Sequence, residues 1–279
     1  MLTSHSVRAA GERMPTSHLR LPLHGRGLLT ILLLGAFAWS LAMVQWGDPL
    51  VHPGGVEMLR EMLAAAVRPA LSPELLAIAL EATWRTVAYA TTGVSLAIVL
   101  ALPAGILASG VLVRQPALRL LSSGVVRALL GVLRAIHELV WALVFVAAIG
   151  LSPFAAVLAL ALPYAGILGR ILAEMLQDVP PGPLDSLRTA GASEGKALLY
   201  GRLPMAFPNM VSYALYRFEC GIRSAAIMSF VGLGGLGYQI QISLDDLRLA
   251  EVWTFVYCLV ALVVAVDVVS SAIRRQVIA

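Results

Sequence analysis

The sequence predicts an all-α integral membrane protein with about six transmembrane helices. Three observations carry that prediction. Hydrophobic residues make up 59% of the 279 and charged residues only 13%, with a mean hydropathy of +0.85. An ordinary soluble domain holds about 25% charged residues, and a chain this apolar has more greasy surface than one soluble core covers. Apolar stretches of roughly 20 residues, the length that crosses the hydrocarbon core as a helix, recur along the chain. Lys and Arg, finally, collect in alternate connections between those stretches.

The first span is read at residues 28–46, after a tail at 1–27 that holds Arg8, Arg13, Arg20 and Arg26. Its apolar run is longer than the 7–15 residues typical of a signal-peptide core, and no A-x-A site follows, so it reads as an uncleaved helix. The connection at 47–80, with Pro49, Pro53, Pro69 and Pro73, encloses a short amphipathic helix near 56–67. The second span is read at 83–108, with Glu81 and Arg85 at its outer mouth as an interfacial i, i+4 pair. The third is read at 129–150, the fourth at 154–175, the fifth at 211–230 and the last at 252–273. Residues 28–275 then form one transmembrane domain, interrupted by a long loop at 176–210.

Charge fixes the expected orientation. With the N-terminus inside, the inner segments hold thirteen Lys and Arg and the outer segments only Arg60, Arg68 and Arg248. Both termini are therefore expected in the cytoplasm. The formal charge of +4 does not point to nucleic acid, because no basic stripe with interleaved aromatics accompanies it. Cys220 and Cys258 lie apart in apolar runs, which suits packing and offers neither metal-ligand spacing nor a disulfide framework.

The loop at 176–210 opens with Asp178-Val-Pro-Pro-Gly-Pro183, which stops a helix. It then reads Asp185-Ser-Leu-Arg-Thr-Ala-Gly191-Ala-Ser-Glu-Gly-Lys-Ala-Leu-Leu-Tyr-Gly-Arg-Leu203-Pro204. A glycine between two short helical segments supplies a turn conformation that other residues adopt at a cost. Leu203-Pro204 is expected to end the second segment and to aim the chain back to the membrane.

This loop resembles the "EAA" loop of ABC-importer permeases: E-A-A, three residues, Gly, nine residues, I-x-L-P. Gly191, Leu203 and Pro204 fall at the pattern's positions, and Ala192-Ser193 after the glycine is typical. Asp185, Ser186, Leu187 and Gly201 depart from it. The segments 133–145, 181–183, 200–204 and 216–224, with Val231-Gly-Leu-Gly-Gly-Leu-Gly237, resemble the phosphonate-type (PhnE-like) permeases. His137 stands where many members carry proline, which is expected to make the third span more regular.

The resemblance implies a type I ABC importer (MetI-like) fold in the bacterial inner membrane. It implies a homodimer with two copies of a separate ATPase and a periplasmic substrate-binding protein. ATP and Mg would bind the ATPase, leaving this chain without cofactor or catalytic site. The cargo would be a phosphonate or a reduced phosphorus oxyanion such as phosphite or hypophosphite. Asp185, Gly191, Ala192, Ser193, Leu203 and Pro204 would form the ATPase-coupling loop.

Several charges fall inside the spans, where an Arg or Asp costs about 2.5–3.5 kcal/mol on insertion scales. Arg134 and Glu138 are spaced to share one helix face, and Glu219 and Arg223 repeat that spacing, with Arg217 on another face. Each Glu can neutralise its own Arg in cis, or the spans can exchange partners. Arg134, His137, Glu138, Arg217, Glu219 and Arg223 are thus candidates for an oxyanion path, since the Arg fork matches phosphonate and phosphite oxygens. The alternative is that they are structural staples. Asp267 reads as locally compensated by Arg274 and Arg275.

Other motifs are set aside. Gly232, Gly234, Gly235 and Gly237 follow a span rather than a strand, so they suit a tight turn at an outer gate instead of a dinucleotide loop. Gly191 to Lys196 is too short for a phosphate-binding loop and lacks its Ser or Thr. His137-Glu138 lacks the second His of a zinc-protease motif. An ion-coupled secondary transporter of a small anion is the rival class, but such proteins usually carry internal repeats, and none is evident.

Overall fold

The computed structural model describes residues 23–44, 46 and 54–278, and among them there are helices and turns but no strand. The tail up to residue 22, with Arg8, Arg13 and Arg20, and the prolines at 49 and 53 lie outside the described residues. Residues 1–57 and 58–279 form separate units. In the first, helix α1 (Leu23–Met43) lies where the first span is expected, but its apolar part, Gly27–Met43, is shorter than the helices among the described residues that are long enough to cross a membrane. Its described side chains, Gly27 to Met43, are all exposed, as suits a helix that is apolar all round.

The rest is a helical bundle. α2 (Gly55–Val67) is the short helix expected near 56–67. Its later turns lie along α11 (Leu249–Ile278), where Trp253 Nε1 donates to the Met62 carbonyl at 2.7 Å and Tyr257 Oη to that of Ala66 at 2.6 Å. α3 (Pro73–Ser109) contains the second span but starts ten residues before residue 83. Ser72 caps it, its Oγ accepting from the Leu75 amide, and Pro73 fills the first-turn position where a missing N–H costs nothing.

The third span departs from expectation. It is two helices, α4 (Pro116–Ala135) and α5 (Glu138–Ile149), broken at Ile136-His137. His137 does not regularise the span: its backbone is extended and its Nδ1 accepts from the Leu139 amide at 3.2 Å, making it the N-cap of α5. An imidazole nitrogen here does the work of a Ser or Asp oxygen. The connection before α4 shrinks to residues 110–115, and Arg119 and Arg127 lie on the helix rather than in a loop.

α6 (Pro153–Gln177) is the hub of the core. Along α3 and α6 the facing residues are small: Ala97, Ala101 and Gly105 meet Ala165, Gly169 and Ala173. A Cβ on Gly105 would stand 2.9 Å from the Gly169 carbonyl oxygen, so the backbones approach as only small residues allow. Between helices in lipid, such packing replaces the hydrophobic drive. α9 (Leu203–Met228), α10 (Leu236–Asp245) and α11 complete the bundle. Leu203-Pro204 does not end a helix. The chain passes from α8 (Glu194–Ala197) through a π-helical turn, Leu198–Arg202, into α9 without a break. The wider turn accommodates Pro204, whose missing N–H and bulky ring would disrupt a regular helix.

Candidate functional site

At one end of the bundle the loop forms a helix–turn–helix. α7 (Pro181–Thr189) closes with a Schellman turn: Gly191 donates to the Arg188 carbonyl and Ala192 to that of Leu187, both at 3.0 Å. Gly191 has φ +84°, and no atom lies within 4 Å of where its Cβ would be, so conformation rather than crowding demands glycine. Ser193 then caps α8, accepting from the Lys196 amide.

Two of the departures from the loop pattern compensate each other. Gly201 is buried, and a Cβ there would meet Leu184 Cδ2 at 2.7 Å and Leu187 Cδ1 at 3.1 Å. The large Leu187 occupies the room that an isoleucine at 201 would take, so α7 still seats on the π turn.

A charge cluster ties the loop down. Glu194, only 14% exposed in its side chain, pairs with Arg188 at 3.1 Å and with Arg114, from the connection after α3, at 3.2 Å. Hydrogen bonds from Arg188 and then Arg114 pull the Glu194 carboxyl below its ordinary range against an opposing effect of burial. Asp185 joins through Arg188 at 3.0 Å. Nearby, Gln177 donates to the Ser109 carbonyl at 2.7 Å and Arg202 to that of Leu176. Neither Arg114 nor Glu194 carries a sequence motif; only packing brings them together.

Within the bundle the expected pairings dissolve. The break at Ile136-His137 separates Arg134 from Glu138. Glu138, its side chain 19% exposed, accepts instead from Ser224 Oγ on α9 at 2.6 Å. Tyr164 Oη of α6 lies 3.0 Å from the same Ser224 Oγ, so the three form one chain across three helices. Glu219 does not pair with Arg223 but with Arg274 of α11, at 2.8 Å. Arg217 stacks over Tyr213 and Tyr216 and donates to the Tyr213 hydroxyl at 2.8–2.9 Å. Arg223 has Cys220 Sγ at 3.5 Å. Arg134 is exposed. Among the described residues, no carboxylate lies within 4.0 Å of Arg134, Arg217 or Arg223. Asp267 is exposed and Arg274, its expected neighbour, is committed to Glu219. The Glu81–Arg85 pair forms as expected, at 2.7 Å and exposed.

At the opposite end the glycine run makes a tight turn. Gly232, Gly234 and Gly235 all have positive φ. A Cβ on Gly235 would meet Thr86 Oγ1 at 2.8 Å and Ser229 Oγ at 2.9 Å, while Gly237 packs directly on the Ala226 carbonyl. Thr86 Oγ1 accepts from the Leu236 amide at 3.0 Å, and Tyr89 Oη donates to the Leu233 carbonyl at 3.1 Å.

Comparison with known proteins then bears on what this arrangement serves. Residues 101–278 match the binding-protein-dependent transport system inner membrane component family. The chain belongs to this family. HtxC of Stutzerimonas stutzeri, assigned by inference to phosphite transport as a permease, is 30% identical over 90% of this chain and 86% of its own. The phosphite transport system permease PtxC of the same organism is 34% identical over 68% of each chain. The phosphate-import permease PhnE of Mycolicibacterium smegmatis is 34% identical over 70% of this chain and 36% of its own. Among solved structures, a chain of the MetNI methionine ABC transporter in an inward-facing form superimposes with a TM-score of 0.65 at 22% identity. It covers 74% of this chain and 99% of that one. The fold is therefore that of an ABC importer permease, and this family member is a membrane-embedded transport component. The helix–turn–helix around Gly191 and the arginine-bearing α9 both lie within the matched region.

Proposed function

We propose that the chain is the permease subunit of an ABC importer that carries phosphonate or a reduced phosphorus oxyanion, phosphite or hypophosphite, across the bacterial inner membrane. One observation carries the choice of an anionic cargo. Arg134, Arg217 and Arg223 lie on span helices without a carboxylate partner, because Glu138 and Glu219 are engaged elsewhere. A cation within a span costs up to about 2.5–3.5 kcal/mol at a helix centre, and an oxyanion passing beside Arg217 and Arg223, inside α9, offsets it. The Arg fork binds two oxygens of a tetrahedral anion at once. The phosphite permeases and the phosphate-import permease among the relatives support the phosphorus chemistry.

In this proposal both termini and the loop around Gly191 face the cytoplasm. The helix–turn–helix from Asp185 to Pro204 seats on a separate ATPase that alone binds ATP and Mg. Two permease copies and two ATPases assemble, and a periplasmic binding protein delivers the cargo at the glycine-turn end. The continuous π turn from α8 into α9 would transmit ATPase closure to the helix that carries Arg217 and Arg223.

The test replaces Arg217 and Arg223 singly by Gln in the reconstituted complex. Uptake of phosphite or methylphosphonate is expected to fall at least about tenfold, the worth of one charge-assisted contact. ATPase association is expected to stay intact. Full uptake by both variants would leave the arginines as structural residues only.

A further inference from the structure

Beside the loop, at the same end of the bundle, lies a cavity of about 290 Å³ that the transport proposal does not use. It is lined by Arg114, Arg119 and Arg127 with Ser123 and Gln177, and no carboxylate lines it. Its volume sits at the lower bound of small-ligand sites, roughly 300 Å³. The local sequence builds it. Gly110 ends α3 with φ +66° and lets the Arg119 stem lie against the backbone; a Cβ there would stand 2.9 Å from Arg119 Cγ. Arg127 is anchored through Nε to the Ala108 carbonyl at 2.9 Å, which leaves its terminal nitrogens unspent. Arg119 makes no side-chain hydrogen bond or ion pair among the described residues. Arg202 nearby shows the local excess of positive charge: its guanidinium is pushed below its ordinary range first by burial, then by Arg188, with Arg119 adding to the repulsion.

Three guanidinium groups around one small cavity, without an acid, are the complement of a phosphate-type oxyanion. We infer that this cavity is a second anion site, separate from Arg134, Arg217 and Arg223, that binds a tetrahedral phosphate group. The group belongs either to free inorganic phosphate or to an anionic lipid. Arg114 is shared: its Nε holds Glu194 of the loop at 3.2 Å. An anion in the cavity competes with Glu194 for Arg114 and so loosens the clamp on the loop, which makes occupancy a brake or a trigger on coupling.

The experiment uses the full chain in nanodiscs of phosphatidylcholine alone, and again with added phosphatidylglycerol. Equilibrium binding of radiolabelled inorganic phosphate is measured in the first, and lipid retention by native mass spectrometry in the second. Arg119→Gln is the main variant, since that guanidinium makes no hydrogen bond or ion pair among the described residues and Gln keeps part of the stem that lies against Gly110; Arg127→Lys keeps charge but loses the fork. Arg60→Gln, which removes an exposed charge on α2 that does not line the cavity, serves as the charge-loss control. If free phosphate is the ligand, the wild type binds it in the first disc, Arg119→Gln weakens binding about tenfold, and Arg60→Gln does not. If lipid is the ligand, phosphatidylglycerol is retained by the wild type and lost from Arg119→Gln. Thermal melts of the variants report whether each is folded. Folded Arg119→Gln and Arg127→Lys that match the wild type in both discs would overturn the inference.

Discussion

Gly166→Ala probes the packing that positions the broken third span. Gly166 is buried in α6 where α4 crosses it, just before the break at Ile136-His137. An added Cβ would stand 2.7 Å from the Leu130 carbonyl oxygen, 2.9 Å from the Arg134 amide nitrogen and 3.0 Å from Leu133 Cβ. Ordinary carbon–oxygen contacts begin near about 3.3 Å. α4 must therefore move away by roughly half an ångström, and two of the three blocking atoms are backbone, which no rotamer change relieves. Overpacking of this kind costs about 1–3 kcal/mol. At this chain length each kcal/mol lowers Tm by roughly 2–4 °C, so a drop of roughly 2–12 °C is expected. Intrinsic-fluorescence melts in detergent measure it. Gly124→Ala, also on α4 and with nothing within 4 Å of its Cβ, is the matched control and should melt with the wild type or slightly above it. Equal melting of Gly166→Ala and wild type would refute the tight crossing of α4 over α6.

Gly191→Asp should leave a folded permease, because the site is open and Asp tolerates positive φ better than most residues, at about 1–2 kcal/mol. Stimulation of the partner ATPase should nevertheless be lost, measured as phosphate release in the reconstituted complex. Glu194→Gln should free the loop from Arg114 and Arg188 and raise the rate of limited proteolysis near residue 190 several-fold at neutral pH. The folded pKa of Glu194 is depressed, so the clamp is at full strength above the ordinary glutamate range and weakens as pH falls through the lowered value. Wild-type protease resistance should decline on acidification, and that of Glu194→Gln should show no such step. Glu219→Ala strands Arg274 of α11, a pair 11% and 23% exposed, and should destabilise by about 2–4 kcal/mol in a thermal melt. Adding Arg274→Met should restore most of that loss.

The helices, the long loop and the glycine turn were legible in the sequence because each rests on a local signal. Apolar run length marks a span, and Gly191 marks a turn. What escaped was of two kinds. Hydropathy discards the polar ends of long helices, so α3 was entered at residue 83 although Ser72-Pro73-Glu74 spells a helix start. The same bias hid the first half of α4, whose Arg119 and Arg127 lower its mean hydropathy although Pro116 marks its beginning. The break at Ile136-His137 was concealed by a residue that seldom caps a helix. The second kind is tertiary. Spacing of four invited cis pairs for Glu138 and Glu219, whereas Ser224 and Arg274 come from helices whose approach depends on small residues spread over the whole bundle. For the same reason Tyr164 and Arg114 had no signal of their own. Gly201 and Leu187 read as departures from a pattern until their contact showed one to be the complement of the other.

ATP-driven uptake by the purified complex decides the matter. The permease, reconstituted in liposomes with its ATPase and binding protein, is given radiolabelled phosphite or methylphosphonate. Uptake should require ATP, survive an uncoupler, and vanish with an ATPase unable to hydrolyse. Uptake that continues with the dead ATPase and collapses with the uncoupler would mean an ion-coupled carrier, and the proposed importer would be wrong.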